Sequence, residues 1–427
     1  METALHFGQT LVFEADPAIA GLSAVRHDTH GALLVEDGHI AAVGPAETLL
    51  SAHPDTPRVN HGARLILPGF VDTHAHAAQT AIIASWAARL RDWLETHTFP
   101  EETRFGDPVY AAEIAERYLD LCLSFGTTTA ASYCTAHPAS VDALMTAAEA
   151  RGLRWIAGRV MMDRNAPDAL CRAAEAQYDL CAPLIDRWQG RARLGCAITP
   201  RFAPTCSAPL LEVAGALARA HPDALIQTHL SEQPEEIAWV AELFPEARDY
   251  LDVYDRAGLL GPRTVLGHAI HLTDREWHGI AETGARIAHC PTSNTFLGSG
   301  LFDLARAQAA GIATGLATDV GGGSSFSMLR TMAAAFEIAQ LRGHRPHPAE
   351  LLWLATGGGA QVLGLGDKIG RLAPGFEADF VVLDLASTPA IATRSARAED
   401  IWDAIFPTIM MGDDRAVAAV YAAGRRV

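Results

Sequence analysis

Pro68-Gly69-Phe70-Val71-Asp72-Thr73-His74-Ala75-His76 is an apolar run that ends in two histidines one residue apart. Side chains alternate along a strand, so His74 and His76 project to the same side. The pattern recurs downstream. Leu225-Ile226-Gln227-Thr228-His229 is an apolar strand closed by a histidine, with Glu232 three residues later. Thr264-Val265-Leu266-Gly267-His268 closes the same way, and Ala313-Thr314-Gly315-Leu316-Ala317-Thr318-Asp319 closes on an aspartate.

These runs belong to a longer alternation. Strands are expected at roughly 65–73, 127–133, 154–160, 193–199, 225–229, 264–268, 286–290 and 313–319, with helical periodicity between them. In 208–220, for example, Leu210, Val213, Ala214 and Leu217 share a face behind a Ser207 cap. Eight strands alternating with helices describe a (β/α)8 barrel of the α/β class. The two ends differ from this middle. Leu33–Val35 and Ile40–Val43 flank an Asp37-Gly38 turn, a hairpin signal. Residues 370–383 read as a turn and a strand, and 416–424 as a closing strand with a glycine turn. The expected organisation is therefore a catalytic barrel over 65–369, with 1–64 and 370–427 joining in a small β-sandwich domain.

Composition narrows the function. Hydrophobic residues make up 49% and charged residues 19%, which suits a globular enzyme. The formal charge of −17 argues against nucleic acid or an anionic membrane as partner, since both need clustered Lys and Arg. Seven scattered cysteines, none paired at a two-residue separation, suit a reducing compartment. The first residues lack the basic start and apolar core of a secretory signal, and no apolar run is long enough to cross a bilayer. A soluble cytoplasmic protein is expected.

Singly, each strand-end residue has an ordinary reading. Glu232 alone reads as a first-turn glutamate favoured by the helix dipole. Together, His74, His76, His229, His268 and Asp319 fall at the carboxyl ends of strands one, five, six and eight, the face on which barrel active sites are built. Neutral imidazoles there suit a borderline ion such as zinc, with Glu232 placed as a proton shuttle. A barrel that had lost its chemistry would lack ligands, and none is missing. Gly321–Gly323 and Gly357–Gly359 lack the Lys-Ser/Thr of a phosphate loop, so they read as sites of close backbone approach. Trp86 and Trp93 either line the pocket or are core or interface aromatics. His289 is a candidate support for the metal ligands, whereas His97, His137 and His271 are not needed as ligands.

The order His-x-His, His, His, Asp resembles the metal-dependent amidohydrolases, and His229-x-x-Glu232 resembles their aminohydrolase branch. Leu90–Glu102, Val71–Gln79, Met162–Pro167, Thr199–Phe202 and Asp319–Gly322 are similar to segments of the guanine deaminase family. The resemblance implies one zinc per chain on His74, His76, His229 and Asp319, with Glu232 and His268 as the acid–base pair, assisted by Asp319. It implies purine contacts at Gln79, Arg201 and Phe202, with Trp93 in the segment that shapes the pocket. The implied reaction is hydrolysis of guanine to xanthine and ammonia: activated water attacks C2 and Glu232 carries its proton to N3. A homodimer is implied as well. Arg201 follows strand four through Pro200, and its donor-only guanidinium suits the O6 acceptor of guanine. The alternative for Arg201 is a surface arginine paired with an acidic side chain. Ala75 and Thr295 stand where that family usually carries bulkier apolar residues, implying a reshaped pocket edge. Another purine, a pterin or a triazine ring, deaminated or dechlorinated, is the alternative substrate.

Overall fold

Residues 3–86 and 90–427 are described by the computed structural model. The chain first lays down β1 (Ala4–Phe13), β2 (Val25–Glu36), β3 (His39–Pro45) and β4 (Arg58–Pro68). The β2–β3 reversal is made by Asp37 and Gly38, both at positive φ (48° and 82°). This is the paired left-handed turn whose twist matches a hairpin, and glycine adopts it without a Cβ penalty.

The barrel strands follow: β5 (Phe70–His76), β6 (Thr127–Tyr133), β7 (Arg154–Gly158) with its short continuation β8 (Val160–Met161), β9 (Leu194–Pro200), β10 (Leu225–Leu230), β11 (Thr264–His268), β12 (Arg286–His289) and β13 (Thr314–Leu316). All pair in parallel. Strand one meets strand eight where Thr73 Oγ1 donates to the Leu316 carbonyl (3.0 Å) and the Asp319 N–H donates to the His74 carbonyl (2.9 Å). Helices such as Pro108–Ser124, Pro138–Ala150 and Ala208–Ala220 connect the strands. In the last of these, Ser207 caps Leu210 N–H as expected, and Leu210, Ala214 and Leu217 are buried while Val213 sits at the edge.

The chain ends with β14 (Phe380–Leu383), β15 (Val417–Ala422) and β16 (Arg425–Arg426). These join the N-terminal strands in one seven-stranded mixed sheet of order β16-β15-β14-β4-β1-β2-β3. Alternation along β4 and β14 makes this sheet two-faced. Leu65, Leu67, Val381 and Leu383 pack into the main core shared with the barrel helices, while Ile66, Phe380 and Val382 pack with Leu33 and Tyr421 on the other side. Between β14 and β15 the helices Pro389–Ser395 and Ile401–Met411 return to the barrel, where Phe406 meets Phe336 edge-on at 5.0 Å.

Two strand boundaries differ from expectation. Residues 65–68 complete β4, pairing with Phe380–Leu383, and the barrel strand starts at Phe70. The apolar run is unbroken across Gly69, so hydropathy carries no mark of the change of sheet. The eighth strand stops pairing at Leu316, because the chain turns out of the sheet towards Asp319, which has φ 49°. Gly357–Gly359 open a short helix at the barrel base. A Cβ on Gly357 would strike the Trp353 ring, and one on Gly359 would crowd Val71, so close approach explains them. No helix among the described residues is long and apolar enough to cross a membrane.

Candidate active site

The carboxyl ends of the barrel strands surround a narrow cleft bordered by His76, Gln79, Trp93, Arg201, Phe202, His229, Glu232, His268 and Asp319. Strand geometry places the first imidazoles. His74 and His76 project together from β5, and a Cβ on Gly267 of β11 would come within 2.7 Å of the His74 ring. Gly267 therefore makes the room that His74 occupies. One ligand atom each from His74, His76, His229 and Asp319 fall within 4.8 Å of one another. Asp319 Oδ1 lies 3.5 Å from His74 Nε2 and 3.4 Å from His76 Nε2, and the Nε2 atoms of His76 and His229 are 3.1 Å apart.

These donors fit a metal ion. His74 is fully buried and neither ring nitrogen has a hydrogen-bond partner; His76 Nδ1 has none either. Burial without partners is costly for such groups, and an ion at their convergence would relieve it. His229 Nδ1 donates to the Arg201 carbonyl (2.7 Å), which fixes the tautomer and leaves Nε2 free to ligate. Burial, and then the neighbouring imidazoles, hold the pKa values of His76 and His229 well below the ordinary value, and burial also lowers that of His74. These shifts favour the neutral ring, the form that binds metal. Burial opposes ionisation of Asp319, but His74, His268 and His229 beside it outweigh that and hold its carboxyl down at about 2.

Glu232 is not a solvated helix-start residue. It is buried, lies outside the helix Pro234–Leu243, and follows Ser231 at φ 49°. Ser299 Oγ donates to its Oε1 (2.8 Å), while Oε2 faces His268 Nε2 at 3.6 Å. His268 Nδ1 donates to the Asn294 side-chain oxygen (3.0 Å), and its Nε2 lies 3.7 Å from Asp319 Oδ2. Burial pushes the Glu232 carboxyl up. For His268, the charges of Glu232 and Asp319, with the Cys290 sulfur beside the ring, overcome burial and raise the pKa well above the usual value. Both shifts favour keeping a proton between the two side chains. Ser231, His268, Ala269 and Asp319 all carry positive φ at the strand ends, a clustering of backbone strain typical of functional mouths.

The opposite wall is a buried polar network. Arg201 Nη1 donates to both carboxylate oxygens of Glu102 (2.9 and 2.7 Å), and Gln79 Nε2 donates to Glu102 Oε1 (3.0 Å). The Gly321 N–H donates to Gln79 Oε1 (3.3 Å). Arg201 is thus paired with an acid, but in the interior rather than at the surface. Phe202 borders the cleft 6.3 Å from the His229 ring, and Trp93 is buried with its indole N–H unpartnered.

Other candidates lie elsewhere. Trp86 is 81% exposed and does not line the cleft. His289 stacks on Phe302 (4.6 Å), and its pKa is lowered to about 3 by burial, with His268 adding to the effect. His97 Nε2 reaches the Trp86 carbonyl, and His271 donates to the Ser299 carbonyl. Ala75 is buried beside the ligands, whereas Thr295 is exposed and donates to the Pro291 carbonyl, away from the cleft edge. Sequence reasoning passed over Glu102, Asn294, Ser299 and Tyr133. Tyr133 ends β6, and its ring stacks on His76 (4.5 Å) with its hydroxyl unpartnered. A polar residue closing the second apolar strand was the available signal. Glu102 gave none, since Pro100-Glu101-Glu102 reads as an ordinary acidic first turn of a helix.

The chain matches the amidohydrolase family over residues 65–427, and residues 31–55 match an imidazolonepropionase-like composite domain of bacteria. It is 45% identical over 406 residues to the guanine deaminase of Escherichia coli (strain K12), covering 95% of this chain and 92% of that one. The fold superposes on the structure of E. coli guanine deaminase with a TM-score of 0.97, at 42% identity over 100% of this chain and 99% of that one. It also superposes on C. acetobutylicum guanine deaminase with bound guanine in the active site, with a TM-score of 0.92 at 27% identity over the full length of both.

Proposed function

The chain belongs to the amidohydrolase family, in its guanine deaminase branch, and from that premise we propose that it hydrolyses guanine to xanthine and ammonia with one zinc ion per chain. The observation that carries the reading is the convergence of one cleft on three kinds of group. These are four metal-competent ligand atoms within 4.8 Å, a buried carboxylate–imidazole pair, and a donor-bearing arginine. His74, His76, His229 and Asp319 would hold the zinc. When bound, zinc lowers the pKa of water towards neutrality and so supplies a nucleophile for C2 of the ring.

The protein's own residues carry the rest. Attack by water on C2 requires N3 to accept a proton. Glu232 takes the proton of the attacking water through the oxygen facing His268 and passes it to N3. Ser299 keeps the other oxygen occupied. His268, held by Asn294, orients the water and stabilises developing charge. Asp319 Oδ2, on the His268 side, helps move a proton to the departing amino group. Oxygen is added at C2 and ammonia leaves, so the product is xanthine. Arg201 donates to O6, Gln79 adds a polar contact, and Phe202 and Trp93 pack against the ring. The barrel that begins at Phe70 carries this chemistry, supported by the mixed sheet built from both ends of the chain. By family resemblance the working form is a cytoplasmic homodimer.

Ammonia release by metal-quantified protein, measured over purines, pterins and triazines, tests the reading. Guanine should lead the panel. Arg201→Ala should lower kcat/KM for guanine by about two orders of magnitude, because it removes a charge-assisted hydrogen bond from a desolvated pocket. The loss on 2-aminopurine, which lacks O6, should be much smaller. A triazine preferred over guanine would overturn the substrate assignment.

A further inference from the structure

Glu102 has no exposed surface, and a buried carboxylate is retained at a cost unless its lone pairs are fully used. Here three hydrogen bonds use them: two from Arg201 Nη1 and one from Gln79 Nε2. Both donors belong to side chains that border the cleft, and Glu102 itself does not. Gln79 is tied at its other end to Gly321, two residues beyond Asp319, so the network joins the ring-binding wall to the metal-site loop. The Arg201 guanidinium also lies over the Phe99 ring, 5.7 Å from its centroid. Phe99 and Glu102 lie on one short helix, Phe99–Thr103.

We propose that Glu102 is a positioning residue with two effects: it aims Arg201 and Gln79 at the substrate, and it cancels the guanidinium charge so that the pocket prefers a neutral lactam to an anion. The inference rests on the proposed reading of Arg201 as the O6 donor. With Nη1 committed to Glu102, the rest of the guanidinium fork is presented to the cleft in one orientation. A buried cation without its partner would instead attract any anion able to enter. Xanthine, the product, loses a proton in mildly alkaline solution, whereas guanine is still neutral there. Neutralising Arg201 therefore favours substrate over ionised product.

The test uses the zinc-loaded enzyme with Glu102→Gln, which keeps size but removes charge, and Glu102→Asp, which keeps charge but shortens the reach. Glu102→Gln should lower kcat/KM for guanine by roughly ten- to a hundredfold, with a smaller loss on 2-aminopurine. It should also tighten inhibition by xanthine about tenfold or more at alkaline pH, with zinc content unchanged. Glu102→Asp should lose guanine activity while xanthine inhibition stays as weak as in the wild type, and this arm remains readable if Glu102→Gln does not fold. Equal losses on both substrates with unaltered xanthine inhibition would overturn the proposal and leave Glu102 a packing residue. Arg201→Ala separates the two levels. If its loss is selective for guanine while Glu102→Gln changes nothing, only the Glu102 role fails. If its loss is equal on both substrates, the reading of Arg201 fails first.

Discussion

Gly267→Ala is a one-carbon test of how the proposed metal ligands are held. The new Cβ would lie 2.7 Å from His74 Cε1 and 2.9 Å from Nδ1. The shorter distance falls about 0.7 Å below the 3.4 Å at which ordinary contact begins. Gly267 is not among the positive-φ residues, so alanine meets no backbone penalty. The clash must be relieved by moving the imidazole, which is enclosed by Tyr133 (4.6 Å) and His229 (4.7 Å) and has little room to move. Overpacking costs about 1–3 kcal/mol, and restricting the unfolded chain offsets about 0.4–1 kcal/mol of it. The barrel should therefore stay folded, with a Tm only a few degrees lower. The site should not be so tolerant. Disturbing the groups that orient a metal ligand costs roughly 10–100-fold in affinity or activity, and displacements near 1 Å cost about a hundredfold in rate. Zinc affinity, from competition with a chelator, should fall by at least tenfold, and guanine turnover at saturating zinc by tens-fold or more. Wild-type zinc affinity and turnover in Gly267→Ala would refute the view that His74 is clamped against this strand.

Chelation should strip about one zinc per chain and abolish deamination, and added zinc should restore it; full activity in metal-free protein would end the zinc assignment. Glu232→Gln should lower turnover by roughly 10²–10⁴-fold, the usual worth of general acid–base catalysis, with zinc retained; near-normal turnover would move the proton transfer to another group. The buried pair His6–His61 (Nδ1 to Nε2, 3.2 Å) offers a pH test of stability, since burial first, and then nearby charge, lowers both pKa values to about 4 from 6.5. The unfolded chain binds more protons between those values, so the stabilisation is complete above pH 6.5 and is lost as pH falls towards 4. Urea unfolding across that window should show a shallower pH slope in His61→Gln than in the wild type, and identical slopes would remove the pair from the account.

The barrel and the cluster of strand-end histidines and aspartate were legible because their signals are local. An apolar run of about five residues ending in His or Asp says both strand and carboxyl end, and His229, His268 and Asp319 each sit within such a run. Gly69 was misread for the complementary reason. Its neighbours on both sides are apolar, and only the pairing of 65–68 with 380–383, more than three hundred residues away, shows that two sheets meet there. The same limit hid Glu102, whose partners Gln79 and Arg201 lie 23 and 99 residues off. Trp86 and Trp93 could not be told apart by composition, yet one is exposed and the other lines the cleft. Proximity across folded distance separates such cases, and no periodicity encodes it.

The continuity of β4 into β5 through Gly69 also sets an order of events as the chain emerges during synthesis. The strand that carries His74 and His76 is rooted in a sheet whose next strand, β14, is made about three hundred residues later. Gly69 N–H is satisfied only by the Asp379 carbonyl (3.0 Å) from that same late segment. Arg154 and Arg193, at the base of strands three and four, are matched by Glu377 and Asp379 just upstream of β14. Contacts of such long sequence separation form slowly, and N-terminal parts of a chain begin folding first. The strand that carries His74 and His76 is therefore among the earliest elements translated, while its anchor in the mixed sheet is among the last to form. Until residues 377–383 arrive, β5 has β6 to pair with and β4 has β1, but the β4–β14 ladder and the Gly69 hydrogen bond that fix the junction between the two sheets are missing.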